Sequence, residues 1–591
     1  MSWIPQSLIQ RLMRQKIEHT LVVPSRHTVE RVSDGRHVGA HRISQAEWSF
    51  VGIIIGLILL VTSLPYFFAI LSEPPEKHFM GFLINVDDHT QYLSWYKAFQ
   101  DGYIISNRLT PEENPPLFFN LLWWSLARFG AATELGYIAV YQIFRVLAGI
   151  FFLTMTYLMA AQFFTNVLRR RTAFLVIALG AGLGWTLVVI KYLWGLDDVP
   201  LPNNLYISEG NTLLCILGYP HFAQAAGLIL TVFWLLLRGE QQNNLRYGLY
   251  AGLVALLLGW QHTYDLIIVW GVPVVYGGVR LLLDRKWPRY WFWSMLMVGL
   301  ISCAPAFYSV WLTSANPLWK EILDQFSNAG VFTPTPLYML ILMGIPLIAA
   351  LITLGLRLRD WLRQRGDIQP AAQNEVFLVV WFIVGWALTY IPTDYQVHMI
   401  SSWQVPVGLL AVLGLFHYVI PALKRRWDIP RLVRPVALLF VLLVIPTNLY
   451  LIAWRFVDLN RHNYPFFLYR DEVAAIDWLE EEAPPESIVF SAYEAGRYIP
   501  GLSGQRVFLG HWAQTVDFFN KRDMVAEFFA ETTSDTRRQE ILQSYDIDYL
   551  FYGQVERELG AYQPDTSTFL RPAFTTAKAT VYAVNPASSS P

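Results

Sequence analysis

Long apolar runs, joined by loops that turn basic at every second crossing, constrain this chain more than any other feature. Residues 50–70, 137–164, 173–194 and 436–454 each approach or exceed the roughly 20 residues a helix needs to cross a bilayer core. Eleven spans are read, at about 49–71, 136–163, 173–194, 213–237, 246–261, 263–283, 290–312, 337–357, 376–392, 402–421 and 433–455. The loops test that count, because loops on the cytoplasmic side collect Lys and Arg. Those assigned inside carry Arg169, Arg170 and Arg171, then Arg238 and Arg246, then Arg285, Lys286 and Arg289. Further on they carry Arg357, Arg359, Arg363 and Arg365, then Lys424, Arg425, Arg426, Arg431 and Arg434. Loops assigned outside lean acidic: 195–211 holds Asp197, Asp198 and Glu209 without Lys or Arg, and 393–401 holds only Asp394. The parity puts the N-terminus inside and the C-terminus outside. The expected fold class is a polytopic α-helical membrane protein of about 11 transmembrane helices.

Composition agrees, with 54% hydrophobic and only 15% charged residues. A net charge of −1 and the lack of a basic domain argue against a nucleic-acid partner. Cys215 and Cys303 lie far apart in apolar surroundings, and are read as small buried hydrophobes rather than a disulfide or thiolate metal site. The first apolar run starts too late for a cleavable signal, so residues 1–48, with Arg11, Arg14, Lys16, Arg26, Arg31, Arg36 and Arg42, are expected as a cytoplasmic basic tail.

The apolar stretch 117–129 is too short to cross, and counting it would turn the triple arginine outside. Its paired tryptophans fit an amphipathic helix in the outer interface, inside a first outer loop of 72–135. The transmembrane domain is thus 49–455. Beyond it, 466–584 reads as an extracytoplasmic α/β domain, with helices at 471–482 and 534–545 and strands at 487–491, 549–552 and 580–584. Residues 585–591 read as a disordered tail. No internal repeat is visible, which weighs against a transporter built from repeated halves.

The first outer loop contains INVDDHTQYLSWYKAFQDG. If 88–99 is helical, Asp88, Gln91, Tyr92 and Trp95 share one face. A carboxylate at a helix start is favoured by the macrodipole, and the plain alternative is a cap plus a solvated acid. Arg145 lies within a span, where a charge marks a functional or pairing role. It either orients a first-loop carboxylate or holds two spans together. Lys97, Arg108, His221, His262 and His398 fall on the outer side, with Asp265 one turn past His262. No His-Glu-x-x-His or comparable metal spacing is present. In YEAGRYIPGLSGQRVFLGHW, Gly496, Gly501 and Gly504 read as turn residues rather than a phosphate loop.

An outer-loop Asp-x-x-x-Tyr, a following x-Pro-Pro-Leu, an aromatic amphipathic helix and a span with an early Arg together resemble the C-type (GT-C fold) glycosyltransferases. These use polyprenyl-phosphate sugars, and include the protein O-mannosyltransferases and lipid A aminoarabinose transferases. The likeness covers about residues 49–165. In those families the motif is Asp-Glu-x-x-Tyr and its aspartate is the catalytic base. Matching by distance to the tyrosine gives Asp88 and Tyr92, with His89 where the family has Glu; matching Asp87 instead slips the tyrosine by one. The base therefore stays open between Asp87 and Asp88, with Asp88 preferred.

The resemblance implies an inverting, multi-pass cell-membrane (bacterial inner-membrane) enzyme that moves a hexose or pentose from a polyprenyl-phosphate donor to a lipid, glycan or protein acceptor outside. Membrane lipid is a further partner. Tyr92, Lys97, Arg108, Arg145, His221, His262 and His398 are then the groups expected to bind donor phosphate and substrate. No cofactor is required, although a divalent cation is compatible. The alternatives are a transporter and a non-catalytic membrane scaffold.

Overall fold

The computed structural model describes residues 43–196, 208–326, 332–363, 373–393, 395–427 and 431–585. Residues 1–42 of the expected basic tail, Asp197, Asp198, Arg365, Asp394 and the terminal residues 586–591 lie outside the described residues, and the end of that tail, from Gln45, already belongs to the first helix. Among those described, seven helices are long and apolar enough to cross a membrane: Gln45–Leu71, Tyr137–Phe163, Pro220–Gln242, Thr263–Asp284, Arg289–Ala315, Pro336–Arg363 and Gln396–Trp427. Two bent pairs, Val167–Leu179 with Gly184–Leu193 and Val433–Leu443 with Pro446–Leu459, raise the number to nine. The expected spans at 246–261 and 376–392 correspond to helices of only 14 and 16 residues, Arg246–Gly259 and Gln373–Leu388.

Local chemistry accounts for the breaks. Backbone groups freed within a bilayer must find partners inside the protein, and the two bent pairs supply each other. The Ala181 N–H donates to the Val444 carbonyl at 2.9 Å, and Thr447 Oγ1 donates to the Gly182 carbonyl at 2.6 Å. Leu183 N–H reaches Ile341 O at 2.7 Å. A Cβ on Gly182 would fall 2.0 Å from the Leu342 carbonyl oxygen, so only glycine fits this crossing.

The helices have two chemically distinct ends. At one, Ser44 and Glu47 form a capping box, and buried Glu47 accepts from Arg170 at 2.9 Å and from Tyr157 at 2.8 Å. At the other, Tyr66 and Tyr141 donate to the carbonyls of Leu217 and Gly218. The first loop and the acids of interest belong to this second end.

Within the first loop, the helix expected at 117–129 instead spans Leu121–Thr133. Asn120 caps it by accepting from the N–H groups of Leu122 and Trp123, while Phe118 is engaged in a bridge with Ile105. Cys215 is buried, its Sγ donating to Ser208 O at 2.9 Å, but Cys303 is half-buried rather than buried as expected.

Strand β1 (Lys77–Phe79) of the first loop pairs antiparallel with β2 (Phe467–Tyr469), which follows the last span. Five further strands form one sheet: β3 (Ile488–Phe490), β4 (Arg506–Val507), β5 (Tyr549–Tyr552), β6 (Leu570–Thr575) and β7 (Thr580–Val584), in the order β4-β3-β5-β7-β6. The first three are parallel, and β7 runs antiparallel to both its neighbours. Helices Arg470–Glu482 and Asp535–Ser544 flank them. Gly501, in the turn Ile499–Leu502, lies so close to the first-loop helix that a Cβ would sit 2.4 Å from Leu93 Cγ. That contact brings the C-terminal unit onto the acid-bearing loop.

Candidate active site in the first loop

Asp87 and Asp88 occupy the first turn of the helix Val86–Asp101, where the dipole favours carboxylates. Asn85 precedes them in the left-handed region at φ 40° and ψ 58°. Its side chain makes no cap bond to the backbone, and donates instead to Asp88 Oδ2.

The two acids differ sharply in their partners. Asp87 Oδ1 accepts from Arg497 Nη1 at 2.6 Å and from the Tyr493 hydroxyl at 2.8 Å. Arg497 is buried and stacks over the Tyr493 ring at 4.4 Å. Burial first, and then the Asp87 charge, push the Tyr493 phenol well up, so it serves as a donor. Asp88, by contrast, takes a single side-chain hydrogen bond among the described residues, from Asn85. Its Oδ1 faces His511 Nε2 at 3.8 Å. The side chain is 28% exposed, against 31% for Asp87, so the two acids differ in their partners and not in their exposure.

His89, where the resembled motif has Glu, is buried and stacked on Phe82, with ring centroids 5.0 Å apart and planes within 3°. Burial brings its imidazole down to about 4, against the opposing pull of Asp88. It is a neutral packing group. Tyr92 stacks on Trp123 at 4.5 Å, and its hydroxyl lies 3.3 Å from His221 Nε2. Burial, and then the Asp88 charge, raise that phenol.

The three expected histidines come together. His221 and His262 lie 5.4 Å apart by ring centroid, and Phe222 packs on both and on His398. His262 Nδ1 lies 3.1 Å from the Tyr264 hydroxyl and 3.5 Å from Asp265 Oδ2. His398 contacts Glu209 through Nδ1 and stacks on Tyr264 at 5.3 Å. The charges of Asp88 and Glu209 both act on Tyr92 and Tyr264, the tyrosines that touch His221 and His398.

Three other expected residues lie elsewhere. Lys97 pairs with Glu480, and Arg108 pairs with Glu486 at 2.8 Å and donates to Gly504 O. Both line a separate cleft of about 670 Å³ with Asp101, Asn114 and Gln505. Arg145 has no carboxylate partner among the described residues. Its guanidinium donates to Ser63 Oγ at 2.7 Å, Gln142 Oε1 at 2.7 Å, and Thr62 Oγ1 and Ile216 O at 3.3 Å, and it covers the Tyr66 ring. Of the two roles open for it, these contacts match holding spans together.

Sequence reasoning missed Tyr493, Arg497 and His511, and read Glu209 only as an outer-loop acid. It also passed over Arg455, whose Nη1 donates to Leu83 O at 2.9 Å and whose charge acts on Tyr219 beside Asp88. Among the described residues, no three His, Cys, Asp or Glu side chains are arranged to hold a metal ion.

Bundle, first-loop acids and C-terminal α/β unit define a membrane protein of the GT-C fold; its structural neighbours are GT-C glycosyltransferases. The oligosaccharyltransferase AglB from Archaeoglobus fulgidus, solved with an inhibitory peptide and a dolichol-phosphate, aligns over 87% of this chain and 70% of its own, at 11% identity and TM-score 0.54. The arabinofuranosyltransferase AftD from Mycobacteria aligns over 93% of this chain at 13% identity and TM-score 0.54, and this chain covers 40% of it. ArnT from Cupriavidus metallidurans, bound to undecaprenyl phosphate, aligns over 90% and 98% at 12% identity and TM-score 0.45. At these identities the likeness is one of fold. No protein-family model and no curated protein sequence matches the chain.

Proposed function

We propose that the protein is a membrane glycosyltransferase that moves a sugar from a polyprenyl-phosphate donor to an acceptor outside the cytoplasm, with Asp88 as general base. The observation that carries this reading is the unequal treatment of two adjacent acids in a GT-C fold. The Asp87 oxygen is committed to a buried guanidinium and a phenol, whereas Asp88 takes one hydrogen bond, from Asn85 on Oδ2, and its Oδ1 accepts none among the described residues. The dolichol-phosphate bound by AglB supports a lipid-phosphate donor.

In this mechanism Asp88 takes the proton of an acceptor hydroxyl as its oxygen attacks the anomeric carbon. The new C–O bond forms as the bond to the phosphate oxygen breaks, and polyprenyl phosphate leaves from the opposite face. One displacement inverts the anomeric centre. The leaving group gains negative charge, and in this reading His221, His262 and His398 meet it. Tyr92, held on Trp123 with its hydroxyl on His221, belongs with these donor-side groups. The C-terminal α/β unit lies on the same outer face and closes over the first loop.

The test supplies membranes containing the full chain with labelled polyprenyl-phosphate pentoses and hexoses, plus lipid, glycan and peptide acceptors. Labelled product with inverted anomeric configuration is expected with one donor–acceptor pair. Retention of configuration, or transfer from nucleotide sugars alone, contradicts the reading.

A further inference from the structure

We propose that His511, on the C-terminal α/β unit, is a positioning residue for Asp88, holding the carboxylate through its Nε2–H in the orientation that receives the acceptor proton. This rests on the transferase reading above and deepens it. Three observations place the proton and aim it. The Ala513 N–H donates to His511 Nδ1 at 3.1 Å, which requires a lone pair there and leaves the ring proton on Nε2. That Nε2 is buried and has no hydrogen-bond partner among the described residues. The group it confronts is Asp88 Oδ1, at 3.8 Å. A buried donor without an acceptor is costly, and an approach of roughly 1 Å would satisfy it. Such closure is common when an active site moves from its empty to its loaded state.

The imidazole is fixed in place from behind. Thr515 Oγ1 accepts from the N–H groups of Gly510 and His511, both at 3.0 Å, and donates to Leu109 O of the first loop at 2.6 Å. Thr110 Oγ1 accepts from Val516 N at 3.1 Å. The ring is therefore tied to the loop that carries Asp88, and the remaining approach falls to the Asp88 side chain. Asn85 holds Oδ2 and His511 addresses Oδ1, so the carboxylate is gripped from two sides, with further lone pairs free for the acceptor.

Two amides separate positioning from packing. The amide nitrogen of His511→Gln reaches the place of Nε2 and keeps a donor toward Asp88. That of His511→Asn reaches only the place of Nδ1. Full-length wild type, H511Q, H511N and D88N are compared in membranes by donor KM, kcat and thermal midpoint. H511N is expected to lose about tenfold or more in kcat with donor KM within about twofold, while H511Q stays within about threefold of wild type. Equal losses in H511N and H511Q, or an undiminished H511N, overturn the proposal while leaving the transferase reading intact. A D88N that transfers as well as wild type removes Asp88 as the base and this proposal with it, whereas a wild-type protein that transfers no sugar defeats the transferase reading itself.

A second measurement needs no substrate: an experimental structure of the full chain and of both variants in lipid nanodiscs. A distance of about 2.7–3.0 Å from Asp88 to His511 Nε2, or to the H511Q amide nitrogen, is expected. A carboxylate turned away from His511, or a His511 bonded to another acceptor, refutes the proposal whatever the donor turns out to be.

Discussion

Arg497 Nη1 stands 2.6 Å from Asp87 Oδ1, joining side chains 410 positions apart across the seam between first loop and α/β unit. A buried cation on an acid this close is not interchangeable with a surface pair, since removing one partner leaves the other uncompensated. Arg497→Ala should therefore lower transfer by about ten- to a hundredfold and open the seam, which limited proteolysis of the first loop would report. Arg497→Lys keeps the charge but not the planar fork, and should fall between. Unchanged activity and proteolysis in R497A would show that the pair is incidental.

Close packing at Gly501 makes a second prediction. Gly501→Ala drives a methyl to 2.4 Å from Leu93 Cγ, an overpacking that costs about 1–3 kcal/mol. Its thermal midpoint should drop. The double variant L93A/G501A should lose little beyond L93A alone, because the methyl then has room. Additive losses would place the strain elsewhere.

His89 gives a pH dependence. Its folded value of about 4 lies below the ordinary 6.5, so the unfolded chain binds more protons between them. Stability is fully present above pH 6.5 and is lost as pH falls toward 4. His89→Phe keeps the stack on Phe82 and should flatten the thermal midpoint over that window; an unchanged slope would mean His89 is not the group responsible.

Arg145 should behave as a strut. Arg145→Met strips donors from Ser63, Thr62, Gln142 and the Ile216 carbonyl, and should cost about 2–4 kcal/mol of stability. Donor KM measured on the protein that survives extraction should stay within about twofold. A large KM rise at unchanged stability would return Arg145 to the substrate.

The parts of this molecule that sequence made legible are those with a local physical signature. Apolar length marked the spans, though Gly182 and Pro446 broke two of them in ways composition alone does not show. The alternation of arginines assigned His221, His262 and His398 to one side, and in the fold they lie close together. Asp88 and Tyr92 drew notice through their motif spacing and the helix face they share, and both sit on one helix, Val86–Asp101. Arg497 and His511 drew none, because their meaning comes from tertiary closure across some 400 positions. Their stretch reads locally as glycine turns, and nothing in it announces that a histidine is buried facing an acid. Lys97 and Arg108 carried the right charge on the right loop, but Glu480 and Glu486 of the α/β unit claim them.

The central claim is that Asp88, and not Asp87, takes the proton. Wild type, D87N and D88N, expressed to equal levels in membranes, are compared in transfer of labelled sugar from polyprenyl phosphate at saturating donor. D88N is expected to lose about 10²–10⁴-fold in kcat, and D87N about tenfold through a loosened loop. A D88N enzyme as active as wild type, or a D87N enzyme that is the more deeply impaired, would contradict the account.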